Sequence, residues 1–230
     1  MTAVAPTAAK MEFTRQELIL DPDKAAAQKV HIFGQGTVGS NVAVELARMG
    51  VPNLTLYDFD AFEAHNLPSQ RADLTHLGMN KAEAVKQQLV QLTNNGGRSV
   101  KTVTAKVEGP VMVEGVAVLA VDTMESRRAI WEKALRPQGM VELVLDFRMR
   151  ANLLQIYAFA PTDERYEASL FTDEDADPAP CGGRTVSYTG ALSGALAANY
   201  VRKHIMGDPI PYFSTIDLDH MDLFAPIPEN

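Results

Sequence analysis

The sequence has a single cysteine, Cys181, among 230 residues. No intramolecular disulfide can form, and no Cys-x-x-Cys pair exists to clamp a zinc ion, so no zinc is expected and a reducing, cytoplasmic setting is the natural one. Positive charge is also scarce. Lys and Arg number 21 against 29 Asp and Glu, a formal charge of −8. That balance excludes a protein that reads the nucleic-acid backbone or clings to anionic membrane, and leaves room only for a local basic pocket. No apolar run approaches membrane-spanning length, and no basic start precedes an apolar segment at the N-terminus. Residues 1–12, rich in Ala, Thr and Pro, are expected to be a disordered leader. The five histidines, His31, His65, His76, His204 and His220, show no metal-ligand spacing.

What is present is average globular material, with 46% hydrophobic and 22% charged residues. This is enough to build a sizeable core in one domain covering 13–230. Val30-His31-Ile32-Phe33 reads as a buried strand, and Val38, Val42, Leu46 and Met49 recur at helical spacing before Gly50. Leu54 to Tyr57 reads as the next strand. Further on, Ala82, Val85, Leu89 and Leu92 mark a second helix, Val100–Val107 a β-rich stretch, and Val116–Val121 a buried strand. Helix is expected over Glu125–Leu135, strand over Val141–Asp146 and Leu153–Phe159, and helix over Thr189–Ile205. Strands alternating with helices predict an α/β, Rossmann-like fold. Its nucleotide-binding half should cover about 29–146 and have a largely parallel sheet. Mixed strands should extend that sheet through a C-terminal lobe of about 147–230. Residues 163–180 are acidic and Pro-containing, which predicts a loop. The Pro-rich tail from Pro209 carries Ile210, Tyr212, Phe213 and Phe224, enough apolar surface to dock.

Gly34-Gln35-Gly36-Thr37-Val38-Gly39-Ser40 fits G-x-G-x-x-G in its required context, directly after a strand and opening a helix. Glycines there permit a tight turn, close approach of phosphate to backbone, and close helix packing. The helix N-terminus adds N–H groups and a dipole that favour an anion. Asp58, at the tip of the next strand, stands where a carboxylate accepts hydrogen bonds from ribose hydroxyls. Asp60, Asn66, Gln70, Arg71 and Lys81 follow around the same crevice. Asp122 ends the strand 116–121, on the edge where a magnesium ligand would sit. An NAD(P)-dependent oxidoreductase would account for the glycine loop and Asp58, but would leave Asn66, Lys81 and Asp122 without a role.

Several spaced motifs together resemble the ThiF/MoeB/HesA family, relatives of the adenylation domains of ubiquitin-activating enzymes. These are the glycine loop with Ser40, and Leu46-Ala47-Arg48-x-Gly50-Val51-x-x-Leu54-x-Leu56-x-Asp58-x-Asp60. Glu63-x-x-Asn66-Leu67 and Gly78-x-x-Lys81-Ala82-Glu83 follow. Phe13-Thr14-Arg15-Gln16 is similar to the family's N-terminal segment, and Asp122 with Arg127 or Arg128 to its Asp-x-x-x-x-Arg region. The resemblance implies ATP-dependent activation of a carboxylate, usually the C-terminal glycine of a ubiquitin-like or sulfur-carrier protein or a peptide. It further implies that Asp58 holds ribose, that Asn66 and Lys81 contact phosphates, and that Asp122 binds Mg²⁺. Arg15 would reach into the site of a second copy in a homodimer, and Cys181 would be the acceptor thiol.

The sequence departs from the family pattern in three ways. Ser69 stands where the family has arginine in Asn-Leu-x-Arg-Gln, with Gln70 matching and Arg71 adjacent. The zinc-binding Cys-x-x-Cys pair is missing, and no separate cysteine domain is expected within these 230 residues. A non-catalytic scaffold of the same fold, binding nucleotide or partner, is therefore the alternative reading.

Overall fold

In a computed structural model the described residues are 11–93, 99–136, 139–171 and 185–226. They build one eight-stranded sheet in the order β3-β2-β1-β4-β5-β6-β7-β8. The strands are β1 (Lys29–Phe33), β2 (Asn53–Tyr57), β3 (Lys101–Val103), β4 (Gly115–Leu119), β5 (Val141–Arg150), β6 (Leu153–Phe159), β7 (Phe213–Asp217) and β8 (Asp222–Phe224). The first five in chain order are parallel, and β6, β7 and β8 continue the sheet antiparallel. The expected mixed sheet is present.

The helices are α1 (Pro22–Ala27), α2 (Thr37–Met49), α3 (Lys81–Thr93), α4 (Met124–Ile130) and α5 (Ser187–Met206). The central strands β1 and β4 bury nearly every side chain, which is why they read as continuous apolar runs rather than alternating ones. One face of the sheet packs Ile32, Leu56, Val118 and Leu145 with Val42, Leu46, Val85 and Val201 of the helices. The other packs Phe33, Leu119 and Val144 with Trp131, Phe159 and Tyr166. α5 lies close on α2. A Cβ on Gly194 would come within 2.8 Å of the Asn41 carbonyl oxygen, so that crossing requires glycine.

The chain leaves β1 for β2 and β3 on one side, then returns to β4 on the other side of β1. In open α/β sheets the crevice outside the strand ends at such a switch point is where ligands bind. Gly34 at the end of β1 and Ala120 at the end of β4 flank that crevice here.

Several elements differ from the sequence reading. The β-rich stretch 100–107 yields only the three-residue β3, and α4 passes into a π-helical turn at Trp131–Leu135. β5 does not stop at Asp146. It runs four residues beyond the end of β4, because β6 hydrogen-bonds it as far as Arg150. The tail from Pro209 does dock, but as strands β7 and β8.

Candidate functional site

The glycine loop shows three separate reasons for its three glycines. Gly34 has φ +91°, and a Cβ on it would lie 2.6 Å from the Ala120 carbonyl oxygen. A Cβ on Gly39 would sit 1.8 Å from the Gly34 carbonyl oxygen, so α2 can approach the loop only with glycine there. Gly36 is different. Its φ is −74°, and the nearest atom to its virtual Cβ is Gln70 Nε2 at 4.0 Å. Nothing among the described residues demands a glycine at 36. The bare backbone faces a cleft of about 700 Å³, at the start of a 13-residue helix whose N-cap has no side-chain partner. Backbone exposed in this way suits a phosphate.

Asp58 sits beside the loop. Its Oδ2 accepts from Gln35 N at 2.6 Å and its Oδ1 from Asp60 N at 2.8 Å. Burial pushes its carboxyl above the usual carboxylate range, against the two backbone N–H bonds that pull it down. Asp60 takes the Lys81 ammonium on its Oδ2 at 3.0 Å, and Lys81 N donates to the Asp60 carbonyl. Lys81 opens α3, and only 12% of its side chain is exposed. Asn66 is 8% exposed. Its Oδ1 accepts from Glu63 N, while its Nδ2 makes no hydrogen bond among the described residues. All four residues line the cleft, together with Gln70 and with Asp122, which is exposed at the tip of β4.

Arg71 is a correction to the set expected around the nucleotide. It does not line this cleft. Residues 67–71 run through turns and bends, with Ser69 N and Gln70 N both donating to the Asn66 carbonyl, and Gln70 lines the cleft while Arg71 does not. Arg71 Nε donates to Asn41 Oδ1 at 2.7 Å, and its guanidinium borders a second cleft between α2, α3 and α5.

Arg15 also lies away from the cleft of its own chain. It is exposed in the turn Thr14–Gln16, which Gln16 Nε2 ties to the Met49 carbonyl at the C-terminal end of α2. The cleft is at the other end of α2, roughly 20 Å away at 1.5 Å per residue. Cys181 falls outside the described residues. Among the described residues there is no cluster of three His, Cys, Asp or Glu side chains able to hold a metal.

One group in the wall escaped the sequence reading. Asp146, fully buried on β5, pairs Arg127 of α4 through Oδ1. Its Oδ2 accepts from Arg148 Nε at 2.9 Å and from the Tyr166 hydroxyl at 3.0 Å. Arg148 also donates to the Ser169 carbonyl and hydroxyl, and its guanidinium lies 4.3 Å from the Tyr157 ring centroid. One carboxylate holding two guanidiniums gives these three groups a charge of +1. Around the cleft, this group is joined by Lys81, Lys106 and Arg150, which face Asp58, Asp60 and Asp122, so one positive charge is left in excess. An acidic protein therefore carries a locally basic pocket, fit for an anion.

Comparison with known proteins agrees with this geometry. The ThiF family pattern matches residues 13–228. Over 111 residues the chain is 32% identical to the molybdopterin-synthase adenylyltransferase of Haemophilus influenzae, an alignment covering 46% of this chain and 45% of that protein. Over 87 residues it is 30% identical to ubiquitin-like modifier-activating enzyme 5 of Caenorhabditis briggsae, covering 38% of this chain and 20% of the other. These alignments span less than half the length of the curated relatives. Among solved structures, Escherichia coli MccB with ATP superposes with a TM-score of 0.71 at 19% identity, covering 98% of this chain and 72% of that one. PaaA gives a TM-score of 0.72 at 17% identity, covering 99% and 77%. The structural likeness at these identities establishes the shared fold, and the sequence match over nearly the whole chain establishes the lineage: the protein belongs to the ThiF family.

Proposed function

We propose that this chain is an ATP-dependent adenylyltransferase that activates the C-terminal carboxylate of a ubiquitin-like or sulfur-carrier protein, or of a peptide. The observation that carries the reading is Gly36. Its missing side chain is explained by nothing among the described residues and leaves open backbone facing a cleft with Asp58, Asn66, Lys81 and Asp122. A nucleotide phosphate fits that opening, and the unpartnered Asn66 Nδ2 supplies a donor beside it. The names of the relatives point the same way: one is an adenylyltransferase, and another carries ATP.

In this reading Asp58 accepts from the ribose hydroxyls. Burial raises its carboxyl pKa, and the bonds from Gln35 N and Asp60 N oppose that shift while fixing the carboxylate's orientation. The backbone at Gly36 and the amide of Asn66 receive the α-phosphate, and Lys81 turns from Asp60 toward it. A carboxylate oxygen of the substrate attacks the α-phosphorus, an oxygen–phosphorus bond forms, and pyrophosphate leaves. Two anions must approach each other, so the protein's contribution is positioning and cancellation of charge rather than covalent catalysis. Asp122 contributes one exposed carboxylate to the cleft. That donor set suits Mg²⁺ shared with substrate phosphates, which would neutralise charge on the leaving pyrophosphate.

Arg15 belongs to the site of a second copy in this reading. Its distance from its own cleft and the exposure of neighbouring Leu18 (102%) and Ile19 (59%) support an arm that docks elsewhere. A homodimer with shared sites predicts complementation: mixed Arg15→Ala and Lys81→Ala chains, each inactive alone, recover part of the activity. The absence of recovery under proven subunit exchange would refute sharing.

The non-catalytic scaffold remains a second reading, and one observation favours it: Arg71 turns away and leaves position 69 without a cation. Calorimetry separates the alternatives. ATP binding with no NAD binding supports the nucleotide assignment, whereas tight NAD binding without ATP overturns it. ATP binding without any pyrophosphate exchange identifies the scaffold.

A further inference from the structure

Three hydroxyls meet on the cleft surface beside Gly36. Thr37 Oγ1 donates to Thr185 Oγ1 at 3.3 Å, Thr185 Oγ1 donates to Ser69 Oγ at 3.2 Å, and Ser69 Oγ lies 2.9 Å from Thr37 Oγ1. The ring closes with each hydroxyl donating once and accepting once. Its members come from three distant places: the first residue of α2, the segment after Asn66, and the approach to α5. All three line the cleft.

We infer that this ring is a cradle for the distal phosphates of the bound nucleotide, an inference that rests on the ATP reading above. A hydroxyl rotates about its C–O bond at little cost, so three donors that satisfy one another in the free protein can turn together onto one arriving anion. The order along the loop assigns the phosphates. Asp58 binds Gln35 N, one residue before Gly36, while the ring begins at Thr37, one residue after it. A nucleotide with its ribose at Asp58 and its first phosphate at Gly36 places its remaining phosphates at the hydroxyls. Two amides flank this path. Asn66 presents its unpartnered Nδ2, and Gln70 turns its Oε1 inward, where it is buried without a partner, with Nε2 toward Gly36. Donors therefore face the phosphates from three sides, and three neutral hydroxyls occupy the ground around Ser69 in place of a guanidinium.

The ring has a competing explanation as a tether that fixes the start of α5. Binding measurements distinguish the two. The dissociation constants of ATP, ADP and AMP are measured calorimetrically for the wild type, Ser69→Ala and Thr185→Val. Each variant removes one donor with little change in volume, and the urea midpoint of each reports on folding. A cradle weakens ATP by about tenfold per hydroxyl, as loss of a charge-assisted hydrogen bond does, and moves AMP by less than about twofold. Equal weakening of ATP and AMP, or a lowered urea midpoint with ATP affinity unchanged, overturns the cradle and leaves the tether. If the wild type binds ATP and the variants match it, only the cradle falls. A wild type that binds none of the three nucleotides refutes the adenylyltransferase reading, and the cradle with it.

Discussion

Replacing each loop glycine by alanine separates folding from binding in one set of variants. Gly34→Ala forces a residue with a side chain to φ +91° and drives its Cβ to 2.6 Å from a backbone oxygen. Gly39→Ala places a Cβ 1.8 Å from the Gly34 carbonyl oxygen, so α2 must lift from the loop. Either change should destabilise the fold by about 2–4 kcal/mol, the range for strained backbone combined with core displacement. Gly36→Ala meets no such obstacle. Its φ of −74° suits alanine, and the nearest contact is 4.0 Å away. The lower unfolded-chain entropy of alanine and its poorer capping roughly offset, leaving stability within about 1 kcal/mol of wild type. The added methyl, however, fills the space into which a phosphate must come. Loss of that approach should weaken ATP by about 100-fold, or about 2.7 kcal/mol. Urea unfolding and calorimetric titration of the same three proteins read both quantities. A Gly36→Ala chain that binds ATP like the wild type would refute the reasoning, as would one that unfolds like Gly34→Ala.

Three further outcomes are expected. Asp146→Ala leaves the buried Arg127 and Arg148 guanidiniums without their shared carboxylate and should cost about 3–5 kcal/mol in a urea melt; a loss below about 1 kcal/mol would contradict that account. Burial lowers the His31 pKa to about 4 beside the Tyr57 hydroxyl, so the unfolded chain takes up a proton before the folded one does. Stability should be intact above about pH 6.5 and fall toward pH 4 by up to about 1.4 kcal/mol per pH unit. His31→Gln should flatten this window, and an unchanged pH profile would rule out His31 as its origin. Cys181→Ser should leave ATP–pyrophosphate exchange near wild type while abolishing any thiol-sensitive adduct with the carboxylate substrate, since adenylation requires no thiol and onward transfer does; an adduct that persists would show that the sole cysteine is not the acceptor.

The sequence made some of this architecture plain and concealed the rest for identifiable reasons. Val30–Phe33, the glycine loop, the α2 periodicity and Asp58 are local patterns, each within one strand–helix–strand unit, and their places in the fold are those expected. The same locality placed Asn66, Lys81 and Asp122 on one crevice, because parallel strands all end on the same edge. Arg71 was beyond its reach, since the direction of a side chain in the turns and bends after Asn66 depends on their particular geometry. The Asp146–Arg127–Arg148 group joins β5 to α4 across 19 residues with no periodic signature, and the extension of β5 to Arg150 depends on pairing with β6. Thr37, Ser69 and Thr185 are unremarkable residues whose meeting is purely tertiary. β7 and β8 were hidden in a proline-rich tail because their strand character comes from the edge that β6 offers them.

The central claim is that this cleft transfers an adenylyl group to a carboxylate. It is tested most directly by exchange of labelled pyrophosphate into ATP, in the presence of a pool of short peptides ending in Gly-Gly. The same pool with amidated C-termini serves as the control. The account predicts exchange with the free carboxylates, none with the amides, and its loss in Lys81→Ala, because only an acyl-adenylate formed reversibly returns label to ATP. Equal exchange with carboxylates and amides, or exchange undiminished in Lys81→Ala, would contradict it.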